Sequence, residues 1–461
     1  MIDKKSPLVA CRLAPIALCL VAMAAPVFAQ QSPMTPTPQD VEQAFQEVIG
    51  NAGSVEARSK YASLLVRSGN FEGGIAALEG LLIAPDAPAS IRLELAVLYF
   101  RLGSYAISET YLRAAINDPR LDPQQKRQAE SLLVEVIKRN QRSQLSGSLM
   151  LGVRSQSNPT AASDNDLVFY QGNAVPRGRD AGPKSDTDIH AWATLNHSYD
   201  LDQQNEASIV TSLVAFANHY NSVSSYSSDA GSGKPSDLAL IAGSTGLRFK
   251  PMRLTNPALS IRPHLIFGSA AANGNSYYNA GGWGIDGDFR TSETTLWGAS
   301  YENSRLAFSS RSDIANSAVL GGSRQSVKVF GSFETGVNRF LSAELGYVDF
   351  DGNAPHTAFK GPAARIAYTL TYPAPTSATG LPWTTTLSVN AQQRDYRGAD
   401  ATVDARTVRK DTEWRWSIVQ VMPVTQDLSV QVQLDHTNTP SNIPNYTSTN
   451  TAGTLGVVWK Y

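Results

Sequence analysis

The stretch STNTAGTLGVVWKY, Ser448 to Tyr461, governs how the rest of the chain is read. Leu455, Val457, Trp459 and Tyr461 fall on one side of a two-residue period, and Thr454, Gly456 and Lys460 on the other. That period belongs to a β-strand with one apolar and one polar face. A strand stopping on an aromatic ring is what the closing strand of an outer-membrane β-barrel looks like, with rings at the membrane interface. On that reading Leu455, Val457, Trp459 and Tyr461 form the signal presented to the barrel-assembly machinery. The plain alternative is an ordinary two-faced sheet strand, and the upstream residues choose between them.

From Leu145 onward the alternation persists. Leu145, Gly147, Leu149, Leu151 and Val153 share one side; Ser146, Ser148 and Arg154 share the other. Similar runs lie near 189–198, 207–220, 238–249, 259–267, 278–289, 294–301 and 326–337. Others lie near 343–350, 363–372, 384–394, 413–421, 428–436 and 451–461. The total is about 14, an even number as a single-chain bacterial barrel requires. Thr385, Leu387, Val389 and Ala391 are expected to meet lipid, with Thr386, Ser388, Asn390 and Gln392 lining the lumen. Trp414, Trp416, Tyr372 and Trp459 sit near strand ends, where an aromatic girdle belongs.

Connections sort into short turns (199–206, 250–257, 290–293, 338–341, 422–427) and long polar segments (155–186, 221–236, 304–323, 396–409). They are expected to alternate strictly, with both chain ends in the periplasm and the long loops outside the cell. A soluble β-sandwich or propeller also alternates, but does not account for this rhythm.

The N-terminus supports export. Lys4, Lys5 and Arg12, the apolar run Leu13–Ala25 and the small-residue site Val27-Phe28-Ala29 read as a signal peptide over residues 1–29. Both cysteines, Cys11 and Cys19, fall inside it, so disulfides and thiolate metal sites are excluded downstream. The whole chain carries a formal charge of −1, which gives no basic footprint for nucleic acid. No apolar run of helix-spanning length follows the leader, so a membrane crossing must use strands.

Between leader and strands a period of 34 appears: Ala62 recurs as Ala96, Leu65 as Tyr99, Gly69 as Gly103 and Phe71 as Tyr105. Leu78 recurs as Leu112, Leu82 as Ile116 and Pro85 as Pro119. This is the tetratricopeptide period, two antiparallel helices turning at glycine. Arg58 and Arg92 depart from the usual Trp, and Gly74 and Ser108 from the usual Ala. A helix over 123–141 is expected to cap the array, and one over 40–49 to pack at its other end. Ser59, Ser63, Arg67, Val97, Phe100 and Arg101 are the candidate partner groove on the first helix of each repeat; a solvated surface is the alternative.

Chemistry is sought and not found. The six histidines are scattered without metal-ligand spacing. His197 and Ser198 are strand neighbours facing opposite ways, which excludes a dyad. No nucleophile elbow, phosphate loop or dinucleotide fingerprint occurs. Asp164, Asp166, Asp186 and Asp188 offer at most loose calcium ligands. No catalytic, cofactor or metal residue is assigned, and the chain is read as a non-enzyme.

The expectation is an α + β multidomain chain: linker over 30–37, periplasmic tetratricopeptide-like α-helical solenoid over 38–142, transmembrane antiparallel β-barrel over 145–461 in the outer membrane. This plan resembles the surface lipoprotein assembly modulator (Slam) family. Local support comes from SGSLMLGVRSQSNP (Ser146–Pro159), in which Asn158 follows the first strand, from YDLDQQNEA (Tyr199–Ala207), and from the last strand. The resemblance implies a translocon moving a client lipoprotein or secreted protein across the outer membrane, its helices engaging client or periplasmic chaperone, with outer-membrane lipids around the barrel. The alternatives are a polysaccharide-export porin with a repeat module, or a general porin. A charged lumen is expected of the exporter, whereas Ser, Thr, Asn and Gln are read here.

Overall fold

A computed structural model describes residues 36–461 apart from 52–53, 83–87, 179–180, 202–206, 222–234, 253–257, 293, 312–316 and 376–378. The expected leader over 1–29, most of the linker over 30–37, Pro85 and most of the 221–236 loop lie outside the described residues. The chain divides into two compact units.

The first holds six helices among the described residues: α1 (Pro38–Gly50), α2 (Val55–Arg67), α3 (Phe71–Glu79), α4 (Ala89–Arg101), α5 (Tyr105–Ile116) and α6 (Pro123–Asn140). The α2–α3 and α4–α5 turns are built alike. Gly69 (φ 86°) and Gly103 (φ 76°) take the left-handed conformation that glycine adopts without steric cost. The Gly69 and Asn70 amides donate to the Val66 and Leu65 carbonyls, and the Gly103 and Ser104 amides to those of Phe100 and Tyr99. Both ends are thus Schellman caps.

Ala62 and Ala96 are buried, as a close helix crossing needs. At Ser108 the departure from alanine is accommodated: its buried hydroxyl donates to the Ala96 carbonyl at 2.7 Å. Gly74 is small because a Cβ there would meet Val66 Cγ2 at 2.7 Å. Tyr99 and Tyr111 stack at 5.6 Å, and both hydroxyls donate to Glu79 Oε1, at 2.7 and 3.2 Å. Burial first, and the Glu79 carboxylate second, push the Tyr99 phenol up to about 12.

The second unit is the barrel. Its strands are β1 (Ser143–Gln156), β4 (Asp186–Asp200), β5 (Ala207–Tyr220), β6 (Leu238–Phe249), β7 (Leu259–Ala272), β8 (Asn275–Ser292) and β9 (Thr295–Phe308). The circuit continues with β10 (Gly322–Gly336), β11 (Arg339–Gly352), β12 (Phe359–Tyr372), β13 (Trp383–Ala399), β14 (Val408–Pro423), β15 (Leu428–Thr439) and β16 (Ser448–Lys460). Among the described residues these 14 close on themselves, each beside its sequence neighbour and β16 beside β1. At that seam Leu149 stands opposite Trp459, and Val153 opposite Leu455. The two remaining strands, β2 (Leu167–Tyr170) and β3 (Asn173–Pro176), form a hairpin inside the first long loop that the sequence pattern did not reveal.

The outward face carries a belt of exposed apolar side chains. Leu345 is 69% exposed, Leu455 59% and Ile366 57%, with Val327, Val329, Leu387, Leu434 and Val457 also uncovered. A patch this extensive does not face water; it is the surface that lipid covers. Aromatic rings bound it toward the termini: Trp297 meets Phe333 at 5.1 Å, Trp459 meets Tyr461 at 5.4 Å, and Tyr372 pairs with Trp383. Toward the far end lie Trp283, Tyr301, Tyr347, Trp414 and Trp416, and beyond them an outward charged row. In that row Asp349 pairs with Lys360, Lys360 with Asp395, and Asp395 with Lys410. Closure and this exterior make it an outer-membrane barrel.

The expected strict long–short alternation fails at two connections. At the far end β7 and β8 are joined by the Asn273-Gly274 turn alone, φ 49° and 76°, the pair of left-handed residues a two-residue hairpin turn requires. At the near end the 373–382 connection outruns the far-end 353–358. Turn chemistry sets each length locally, whereas the rhythm only describes their sum.

Two outcomes follow. Gly152 and Gly456 face each other across the seam, and a Cβ on Gly456 would meet Met150 Cε at 2.6 Å and the Leu151 carbonyl at 2.9 Å. Gly456→Val is therefore expected to lower the yield of heat-modifiable barrel several-fold, while outward Val457→Leu leaves it unchanged. The folded Tyr99 value lies above the ordinary phenol value of about 10, so its contribution is complete below that pH and is lost as pH rises toward about 12. Phenolate absorbance in the folded protein should lag that of denatured protein by more than one group, since burial and Glu79 push Tyr111 up as well, and Tyr99→Phe should shrink the lag without abolishing it.

Candidate functional site: the inner wall and the capped mouth

Strand parity turns every second side chain inward. On β13 and β15 the inner face is Thr386, Ser388, Asn390 and Gln392, and Ser429, Gln431 and Gln433, as expected. Elsewhere the wall is charged, which corrects the reading of an uncharged lumen. Arg154 donates to Asp188 at 2.9 Å from β1 to β4, and Arg262 to Asp286 at 2.6 Å from β7 to β8. Arg394 donates to Glu413 at 2.6 Å, and Arg415 to Asp435 at 3.0 Å. Arg409 pairs with Asp411 on its own strand. Asp188 is fully buried and also accepts from Gln156 Nε2 at 3.0 Å. Both donors meet Oδ2, while Oδ1 has no hydrogen-bond partner and faces His190 Nδ1 at 3.5 Å; a carboxylate so enclosed depends on the cation beside it. The polar lining therefore no longer counts against an exporter of charged polymer.

At the far end the loops fold over this wall. Asn158, 2% exposed, is the pivot of the first loop. Its Nδ2 donates to the Ala162 and Thr449 carbonyls at 2.9 and 3.1 Å, and its Oδ1 accepts from the Ala162 amide at 2.9 Å. The hairpin that follows is tied to the last far-end loop, 440–447. The Phe169 amide donates to Asn445 Oδ1 at 2.7 Å, and Asn445 Nδ2 returns to the Phe169 carbonyl at 2.9 Å. Ser163 Oγ and Asn165 Nδ2 donate to the Pro444 carbonyl at 2.6 and 3.1 Å. The Gln171 and Gly172 amides reach the Thr402 and Val403 carbonyls at 3.1 and 2.8 Å. Val403, Ile443 and Tyr446 bury together with Phe169 against them.

Tyr446 anchors this cap to the wall. The inward Arg409 guanidinium lies 3.6 Å from the Tyr446 ring centroid and 4.5 Å from that of Tyr396. Tyr396 continues a row of inward rings, 5.5 Å from Phe359, which is 5.5 Å from Phe350. Facing strands supply a second cluster: Tyr277 meets Phe308 at 4.9 Å and packs with Leu240, Ala270 and Leu320, the last from a short 3-10 turn at Ser317–Leu320.

The residues singled out in the sequence fall as follows. Ser59, Ser63 and Arg67 lie on α2, and Val97, Phe100 and Arg101 on α4. Ser63, Arg67 and Arg101 are exposed; Ser59, Val97 and Phe100 are half-buried. Ser63 Oγ donates to the Lys60 carbonyl, and Arg139 covers the Phe100 ring at 4.9 Å. Leu455, Val457, Trp459 and Tyr461 all face outward on or just after β16. Asp164 and Asp166 stay in the first loop while Asp186 and Asp188 belong to β4, and no cluster of three potential metal ligands forms among the described residues. The mouth residues Arg409, Asn445 and Tyr446 had no sequence signal; Asn158 had one only as part of the Ser146–Pro159 motif that carries the family resemblance.

No family model and no curated protein matches the chain. Among solved structures it is similar to a Pseudomonas aeruginosa FadL homologue, at 10% identity over 68% of this chain and 90% of that one, TM-score 0.40. It is also similar to the outer-membrane channel DcaP of Acinetobacter baumannii, at 10% identity over 69% and 97%, TM-score 0.34. OccAB3 of Acinetobacter baumannii is similar at 9% identity over 69% and 99%, TM-score 0.33. The closure and exterior described above, not these remote likenesses, carry the assignment to the outer membrane.

Arg409 ties the far-end loops to the inner wall through the Tyr446 ring. Arg409→Ala is expected to raise single-channel conductance in planar bilayers about twofold or more, by loosening Tyr446 and the loops tied to it; unchanged conductance would mean the cap rests on its hydrogen bonds alone.

Proposed function

We propose that this protein is an outer-membrane conduit for a client lipoprotein or secreted protein, similar in plan to the Slam translocons. The observation that carries the reading is covalent: α6 stops at Asn140 and β1 starts at Ser143. Whatever the helices bind is tethered at the first barrel strand, which raises its effective concentration at the near entrance without any further contact. On this reading the helices are a short tetratricopeptide-like array in the periplasm, and Ser59, Ser63, Arg67, Val97, Phe100 and Arg101 belong to the face that meets client or periplasmic chaperone. The barrel-assembly machinery and outer-membrane lipids are the remaining partners.

A second reading, a polysaccharide-export porin, is favoured by the inward row Phe350, Phe359 and Tyr396 beside a charged wall, since rings and charges together suit sugar polymers. A general porin is the third.

Co-expression in a heterologous bacterium with a small exported protein or lipoprotein encoded beside this chain separates them. Surface display that depends on this chain supports the translocon; display unchanged on its deletion ends that reading. Within the same assay Arg67→Glu with Arg101→Glu should cut display about tenfold while heat-modifiable barrel persists. Full display would make those arginines ordinary surface.

A further inference from the structure

We infer that the far end of the inner wall carries an anion-binding site built on Arg324 and Arg394, for a solute bearing carboxylate or phosphate groups. This does not depend on what the conduit moves. Arg324 shares the inward parity of Ser326, which is buried, and is opposite in parity to the exposed, lipid-facing Val327 and Val329. It lies one residue from Gln325, which pairs with Asp349 of the outward charged row, so it stands at the mouth of the lumen.

The other inward arginines described above each have a carboxylate at ion-pair distance. Arg324 has none: among the described residues its guanidinium makes no hydrogen bond or ion pair, although its side chain is exposed within the enclosing wall. The charged groups whose field reaches it are, in order of effect, the Glu302 carboxylate and a second guanidinium, that of Arg394. Arg394 is only 6% exposed. Its Nη2 donates to Glu413 at 2.6 Å and to Gln392 at 3.1 Å, and its buried Nε has no hydrogen-bond partner. Glu302 acts on Arg324 through its charge but makes no hydrogen bond or ion pair with it: it stands opposite Ser326 in the ladder and accepts from its hydroxyl at 3.5 Å.

Arg394 is balanced by Glu413 and the field of Glu302 offsets its repulsion of Arg324, but neither carboxylate takes up the Arg324 donors, which stay open to the lumen. A guanidinium fork takes carboxylate or phosphate oxygens two at a time. The row on which Arg324 sits has an internal contrast. It runs across the ladder from Arg324 through Phe350 and Phe359 to Tyr396, and Arg409 stacks on Tyr396. The cation at one end is fixed by two rings and Asp411; the one at the other end is left for a ligand.

The test is calorimetric titration of the detergent-purified, heat-modifiable full chain at low salt, with citrate in one arm and inorganic phosphate in the other. Saturable binding in at least one arm is expected, the stronger arm naming the group preferred. Arg324→Gln should weaken it about tenfold or more, corresponding to about 1.4 kcal/mol, and Arg324→Lys should keep part of it. Arg305→Gln removes a cation from the outward face of β9 and should change nothing. If Arg324→Gln does not fold, Ser304→Asp, which puts a carboxylate directly opposite Arg324 in the ladder, should weaken binding comparably. Absence of saturable heat in both arms, an Arg324→Gln affinity equal to that of the unmodified chain, or equal weakening by Arg305→Gln would each overturn the site.

Discussion

The seam between β1 and β16 is the constraint on which the rest depends. A backbone amide left unpaired in hydrocarbon costs several kcal/mol, so a spanning sheet must have no edge. Here the first strand to emerge from the helices must meet the last strand of the chain, in a register that keeps Leu149 and Trp459 on the lipid side. Gly152 and Gly456, directly opposite one another, are what that close approach requires. The apolar belt, the two aromatic girdles and the outward charged row have meaning only once the seam is closed, because closure separates an inside from an outside.

Closure also sets the chemistry of the inner wall. Side chains pointing inward are enclosed yet wet, and the protein meets that condition with cross-strand ion pairs such as Arg154–Asp188 and Arg262–Asp286. These bind neighbouring strands to one another from within, as lipid contacts do from without. At the mouth the same logic is extended by loops. Asn158, Asn445 and Arg409 convert three separate connections into one cap, using paired amide hydrogen bonds and a guanidinium held between two rings. The helical unit is organised differently, around repeated glycine turns and small residues at crossings, with Glu79 tying Tyr99 to Tyr111.

Strand positions were legible in the sequence because a period of two survives wherever one face meets lipid and the other water. Leu387 and Ser388, or Leu434 and Asp435, announce their faces without reference to any neighbour. The Gly69 and Gly103 turns were legible for a similar reason, since a left-handed residue is a local demand. The strict loop rhythm was over-read: Asn273-Gly274 turns a far-end hairpin as tightly as any near-end one. The hairpin of β2 and β3 was missed because it is held mainly by Asn445, Thr402 and Val403, residues more than 200 positions downstream.

The sequence by itself therefore determined that strands cross a membrane, about how many, and that helices precede them. Each of these follows from periodicity, which is a property of adjacent residues. Which charges meet was decided only by the closed structure. Arg394 finds Glu413 and Arg409 lies near the rings of Tyr396 and Tyr446, while Arg324 has no carboxylate at ion-pair distance among the described residues, because register and inward loops set those distances. No local pattern of residues encodes them.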